Sequence, residues 1–168
     1  MKLLILIIAL SSAVLAGSYG KGDVAPVTDE LYKKECGSCH FAYQPGLLPS
    51  NAWNKMMLNL GDHFGSDASL AKEDYDSILA YLNKNSAEKF ANYKRSAKIL
   101  NSLKAKEVPE SISKTPYMIK KHREIRENLI TQKEVKGLFN CIACHTTAEK
   151  GIYSERDIRI PNFGRWED

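Results

Sequence analysis

The sequence predicts an all-α fold of two small helical lobes, and three observations predict it. Apolar residues recur at three- and four-residue spacing, as in Trp53, Met56, Met57, Leu60 and in Tyr75, Ile78, Leu79, Leu82. Helix-opening chemistry precedes such runs, with Ser50 before one and Thr115-Pro116 before another. Each half also carries one C-x-x-C-H motif, Cys36-Gly37-Ser38-Cys39-His40 and Cys141-Ile142-Ala143-Cys144-His145.

Taken in order, residues 1–16 read as a signal peptide. Lys2 is the basic end, Leu3 to Leu10 the apolar run, and Val14 and Ala16 flank a cut expected after Ala16. A cut after Gly20 and an uncleaved anchor are the alternatives. The run is short for a membrane span, and no later stretch could make one. No cysteine follows it to carry a lipid. The expected location is therefore periplasmic.

Thr28-Asp29-Glu30 opens a helix that carries Leu31, Tyr32 and Cys36 to the first motif. Tyr43 to Pro49 is a loop whose leucines need burial, and it reads as a cover over the first site. Ser50 caps the next helix, and His63 continues its face beyond Leu60. A third helix carries Tyr75 to Leu82, and a fourth Phe90, Tyr93, Ala97 and Leu100. Residues 107–115, between prolines, form the linker. The following helix places Met118, His122, Ile125 and Leu129 on one face, and a Thr131-x-x-Glu134 capping box opens the helix of the second motif. The tail from Arg156 to Ile160 alternates, so it should lie extended against the second site. The lobes are 17–108 and 109–168. At about that size neither would be stable alone, so they should pack together.

C-x-x-C-H is the pattern of c-type haem attachment. Two cysteines three apart reach the two vinyl groups of one porphyrin, and the next residue presents an imidazole to the iron. Zinc sites, two disulfides and a thioredoxin-like pair compete. None explains a histidine directly after both pairs. Cys36, Cys39, Cys141 and Cys144 are thus the expected attachment residues of two haems, with His40 and His145 as iron ligands.

The chain has four histidines in all, so His63 and His122 are the candidates for the opposite iron faces. Met56, Met57 and Met118 are the rivals; their spacing suits packing better. His40 to His63 and His122 to His145 are each 23 residues apart. Local pairing is the simple choice, with crossed pairing open.

This pattern resembles the dihaem cytochrome c family often called DHC. The resemblance rests on Glu35 to His40, Pro45-Gly46-Leu47-Leu48-Pro49, Trp53 with Met56-Met57, and His63-Phe64-Gly65. Near the other end it rests on Cys141 to His145, Ala148-Glu149-Lys150-Gly151 and Ile160-Pro161-Asn162. It covers most of the chain beyond the signal, although residues 86–113 carry no familiar motif. It implies a small periplasmic electron carrier with two low-spin haems. It also implies a monohaem c-type cytochrome as acceptor and a membrane b-type cytochrome as donor.

A one-electron relay with two bis-His haems is the expected function, with no enzymatic activity. A small dihaem peroxidase or reductase is the alternative; it needs an open or displaceable sixth position and acid–base groups above it. A subunit of a larger respiratory complex is a third class. The formal net charge is +4, and removing Lys2 leaves about +3, too weak for nucleic acid.

Overall fold

Among the described residues, 22–166 of the computed structural model, six α-helices carry the fold. They are α1 (Glu30–Cys36), α2 (Ser50–Met57), α3 (Lys72–Lys84), α4 (Lys94–Ser102), α5 (Pro116–His122) and α6 (Glu127–Thr131). Short 3₁₀ turns link them, and a small antiparallel hairpin closes the chain, β1 (Arg159–Ile160) with β2 (Gly164–Arg165). The expected signal peptide and its cut after Ala16 lie outside the described residues.

Most of these helices are shorter than the roughly 12–15 residues that an isolated helix needs in water. Their stability must come from packing. α2 lies on α3, burying Trp53 and Met57 with Ile78 and Leu82, and α4 lies on α5. One apolar cluster spans both halves, taking in Val24, Leu47, Leu48, Ile99, Met118, Ala148 and Tyr153. The mostly helical architecture is the one the sequence predicts.

The local detail differs in five places. Ser50 is not the cap of α2 but its first residue. Pro49 holds the cap position in extended backbone (φ −71°), and the Glu88 carboxylate accepts the Ser50 N–H at 3.0 Å. α2 stops at Met57, so His63 sits beyond a 3₁₀ turn rather than on a helix. α4 starts after Phe90 and Tyr93, and its buried residues are Ser96 and Ile99. The His122 helix ends at His122; Ile125 N–H closes a turn on the His122 carbonyl, and Arg126 is extended before α6. The Thr131 capping box does not form. Thr131 Oγ1 donates to the Glu127 carbonyl within α6, and Lys136 (φ 66°) and Gly137 (φ 140°) break the chain. Cys141–Ala143 is therefore a 3₁₀ turn and not the start of a long helix.

The loop at Tyr43–Pro49 is central. Gln44, Leu47 and Leu48 are fully buried, and the Trp53 indole N–H donates to the Pro45 carbonyl at 2.8 Å. The stretch 107–115 also packs, burying Pro109, Ile112 and Thr115.

Candidate functional site

The first motif sits where α1 ends. Asp29 caps that helix by accepting the Tyr32 N–H at 2.8 Å, as its sequence predicts. Gly37 follows Cys36 because the backbone doubles back tightly: a Cβ there would lie 2.2 Å from the Lys33 carbonyl oxygen. His40 then projects from the turn. Its Nδ1 lies 2.9 Å from the Phe41 carbonyl, which can only accept, so Nδ1 carries the hydrogen and Nε2 keeps a lone pair. The Tyr43 ring stacks on this imidazole at 4.5 Å, and its hydroxyl donates to the Phe139 carbonyl, just before the second motif.

His63 is held by its backbone. Its N–H donates to the Ser66 carbonyl at 2.7 Å, and the Ser66 N–H returns the bond at 3.2 Å. Phe64 (φ 53°) and Gly65 (φ 86°) make the turn, and Asp62 Oδ1 fixes the Gly65 N–H at 3.0 Å. The loop brings the His63 ring to 6.3 Å from the His40 ring, centre to centre, with 35° between planes.

The second motif is built differently. The His145 N–H bonds the Cys141 carbonyl at 2.8 Å, and the tail straps across as the Arg159 N–H donates to the Cys144 carbonyl. His145 bridges Ile158, so the extended tail does lie against this site. Thr115 caps α5, accepting from the Met118 N–H, and Pro116 opens it, as expected. His122 is its last residue, with Nδ1 2.9 Å from the Met118 carbonyl. The His122 and His145 rings are 6.2 Å apart and nearly perpendicular, at 81°.

The ring-centre separations of both pairs match the spacing of two imidazoles on one metal ion. A metal–imidazole bond of about 2.0–2.1 Å, with about 1.1 Å from ring nitrogen to ring centre, sets trans imidazoles about 6.2–6.4 Å apart. The Nδ1–H bonds at His40 and His122 are the outer-shell contacts that orient a ligating imidazole. Among the described residues, no three His, Cys, Asp or Glu side chains converge as a protein-only metal site would require. A porphyrin supplies four donors and asks two of the protein. All four cysteines are free. Phe64 beside His63, and Phe139 and Ile142 at the second motif, lie exposed, apolar surface that a macrocycle would cover. Met57 and Met118 go into the core instead, and Met56 packs against it.

Burial shapes the chemistry of these groups. It lowers the proton affinity of His63, helped by His40, and of His122. It pushes His145 down to about 4, with His122 and Arg95 adding repulsion. His63, His122 and His145 are thus neutral near pH 7, the form that ligates metals. Burial also raises the Cys36 and Cys141 thiols to about 11.

Sequence reasoning missed the polar seam between the sites. Buried Gln44 donates to the Ala148 carbonyl at 2.6 Å and accepts from the Tyr153 hydroxyl at 2.7 Å. Arg95 donates to Tyr117 Oη at 2.6 Å and to the Tyr153 carbonyl at 2.8 Å. Nothing in the run Lys94-Arg95-Ser96 marks Arg95 as buried.

Comparison with known proteins bears on the fold and the cofactor. The profile of the dihaem cytochrome c family, DHC, matches residues 32–153. The fold is similar to a diheme cytochrome c from Rhodobacter sphaeroides, with TM-score 0.68 and 35% identity over 77% of this chain and 100% of that one. It is also similar to a diheme cytochrome c from Shewanella baltica, with TM-score 0.67 and 34% identity over 82% of this chain and 97% of that one. No curated protein matches.

Proposed function

The chain belongs to the dihaem cytochrome c family and so carries two covalently attached c-type haems, and on that premise we propose that it is a one-electron relay with two bis-His iron sites. The observation that carries the proposal is the two neighbouring imidazole pairs, with ring centres 6.3 and 6.2 Å apart. Cys36 and Cys39 hold one haem and Cys141 and Cys144 the other. His40 and His63 ligate the first iron, and His145 and His122 the second, so pairing is local. When bound, each haem iron supplies a one-electron ferric/ferrous couple.

The residues here fix, shield and tune. With His40 and His63 on one iron and His145 and His122 on the other, no position would be left for oxygen or peroxide, and on that reading the chain is a carrier and not an enzyme. Tyr43, stacked on His40 and bonded to the Phe139 carbonyl, ties the first site to the second. The N-terminal lobe, 17–108, and the C-terminal lobe, 109–168, each hold one haem and pack through the Gln44–Tyr153 seam. Among the described residues no helix is long and apolar enough to cross a membrane. Export by the signal peptide places the carrier in the periplasm. A membrane b-type cytochrome is the proposed donor, and a monohaem c-type cytochrome the proposed acceptor.

Absorption and magnetic circular dichroism spectra of the purified holoprotein test this. Low-spin bis-His signatures and midpoints well below zero at both haems are expected, since Met/His ligation raises the potential. A high-spin band in the resting protein, a methionine charge-transfer band or a strongly positive midpoint would overturn the ligation.

A further inference from the structure

A buried cation stands beside one histidine pair. Arg95, on α4, has its side chain 12% exposed and lies between two tyrosine rings, its Cζ 5.7 Å from the centre of Tyr117 and 5.4 Å from that of Tyr153. The other side of the contact matters most: the Tyr153 ring is also 5.5 Å from the His145 ring. The guanidinium is thus one aromatic ring away from the second iron site. Tyr153 is the shared neighbour of Arg95 and His145, so the charge lies on the side of the second pair.

The charge is only partly balanced. Asp23 is the facing carboxylate, 3.7 Å from Nη2, and its Oδ2 also accepts the Tyr153 N–H at 2.8 Å. The remaining acceptors are neutral, the Tyr117 hydroxyl and the Tyr153 carbonyl. The Arg95 Nε is buried without a partner. A guanidinium cannot shed its proton to escape burial. So the positive charge persists at any working pH, in surroundings that screen it less than water would.

We propose that Arg95 is the residue that sets the two haem potentials apart, raising the C-terminal haem above the N-terminal one. The inference rests on the bis-His reading above. The sign follows from charge. A ferrous site carries one positive charge fewer than a ferric one, so a nearby cation favours the reduced form and raises the midpoint. Arg95 is a positioning and tuning residue, contributed by the first half of the chain to the second site. An electron shared between the haems then rests on the His122/His145 side, which becomes the side that hands it on.

The test is an NMR redox titration of the holoprotein, following the haem methyl signals of each haem separately. Arg95→Met should lower the C-terminal midpoint and leave the N-terminal one in place. The expected change is about tenfold in the electron-sharing equilibrium, which is about 59 mV for a one-electron couple. Asp23→Asn keeps a polar side chain and removes the countercharge, so it should shift the same haem the opposite way. Arg95→Lys should retain most of the wild-type split. If Arg95→Met does not mature, Arg95→Gln and Asp23→Asn still give the two signs. Equal movement of both haems, or unchanged midpoints in the charge-removing variants, overturns the proposal. Failure of the ligation reading shows separately, as a high-spin or methionine-ligated spectrum in the unaltered protein.

Discussion

The two histidine pairs have the same separation and different settings. His40 and His63 project from turns at 35° to each other, with exposed Phe64 against His63. His122 and His145 stand at 81°, held by a helix end on one side and by the strapped tail on the other. The first pair is built mostly from local backbone: the α1 terminus and a loop closed on itself between residues 59 and 66. The second is built from long-range contacts, with Arg95 from α4 and Tyr153 beside it. Equal spacing thus does not make equal sites. What differs is the ring angle, the neighbouring charge and the cost of disturbing each pair.

The largest effect expected is loss of a haem. The double variant Cys36→Ser, Cys39→Ser should yield protein with one covalent haem, and so should the corresponding change at Cys141 and Cys144. A haemochrome assay against protein concentration reads this directly. The comparison adds a difference: the second variant should express less well, because the C-terminal site ties the tail and α5 to the core. Equal yields would break that claim.

Next come the single distal changes. His63→Ala and His122→Ala should each turn about half the haem high-spin and able to bind carbon monoxide, seen in the Soret and near-infrared bands. If His122→Ala instead changed the site that Cys36 and Cys39 anchor, pairing would be crossed. The ring angles give a third reading. Near-perpendicular imidazoles leave two iron d orbitals almost equal in energy, whereas more parallel ones split them. The ferric protein should therefore show two low-spin electron paramagnetic resonance signals, one strongly anisotropic from the His122/His145 site and one rhombic. Two identical signals would mean that the difference in angle is lost once the haems are in place.

Much of this was legible in the sequence because the signals are local. A C-x-x-C-H motif places its own cysteines and histidine within one turn, and Asp29 and Thr115-Pro116 mark helix starts by chemistry that acts over three residues. Helix ends were harder. His63 and His122 fall on the expected apolar periodicity, yet one lies past α2 and the other ends α5. Periodicity persists through a turn when the chain stays against the same core. The Thr131-x-x-Glu134 pattern failed because the hydroxyl had a nearer acceptor, the Glu127 carbonyl. Gln44 and Arg95 were invisible for a different reason: their partners lie 104 and 58 residues away at Ala148 and Tyr153. Only the fold brings them together.

Gln44 gives a stability prediction of intermediate size. Gln44→Leu costs about 1–3 kcal/mol, because it leaves the buried Tyr153 hydroxyl without its acceptor, while the Ala148 carbonyl keeps the Gly151 N–H at 2.8 Å. Chemical unfolding of the holoprotein followed by haem absorbance measures it. Because Tyr153 faces His145, the C-terminal haem signals should shift while the N-terminal ones stay.

The smallest effects compare the two helix caps. Asp29 caps α1, which ends at Cys36, and Thr115 caps α5, which ends at His122. Each accepts one backbone N–H, from Tyr32 at 2.8 Å and from Met118 at 3.4 Å. A cap lost to alanine costs about 1 kcal/mol. Bond length alone would make Asp29 the costlier loss. Burial argues the other way. Thr115 is fully buried, so Thr115→Ala strands the buried Met118 N–H, and it also removes the hydroxyl's bond to the Ile112 carbonyl, which keeps the Thr115 N–H at 3.2 Å. Asp29→Ala, nearer the surface, lets water take the freed N–H. Thr115→Ala should therefore cost about 2 kcal/mol in chemical unfolding and Asp29→Ala about 1 kcal/mol, with absorption spectra unchanged in both. A reversed order would mean that the N-terminal site, for all its local construction, is the more tightly held of the two.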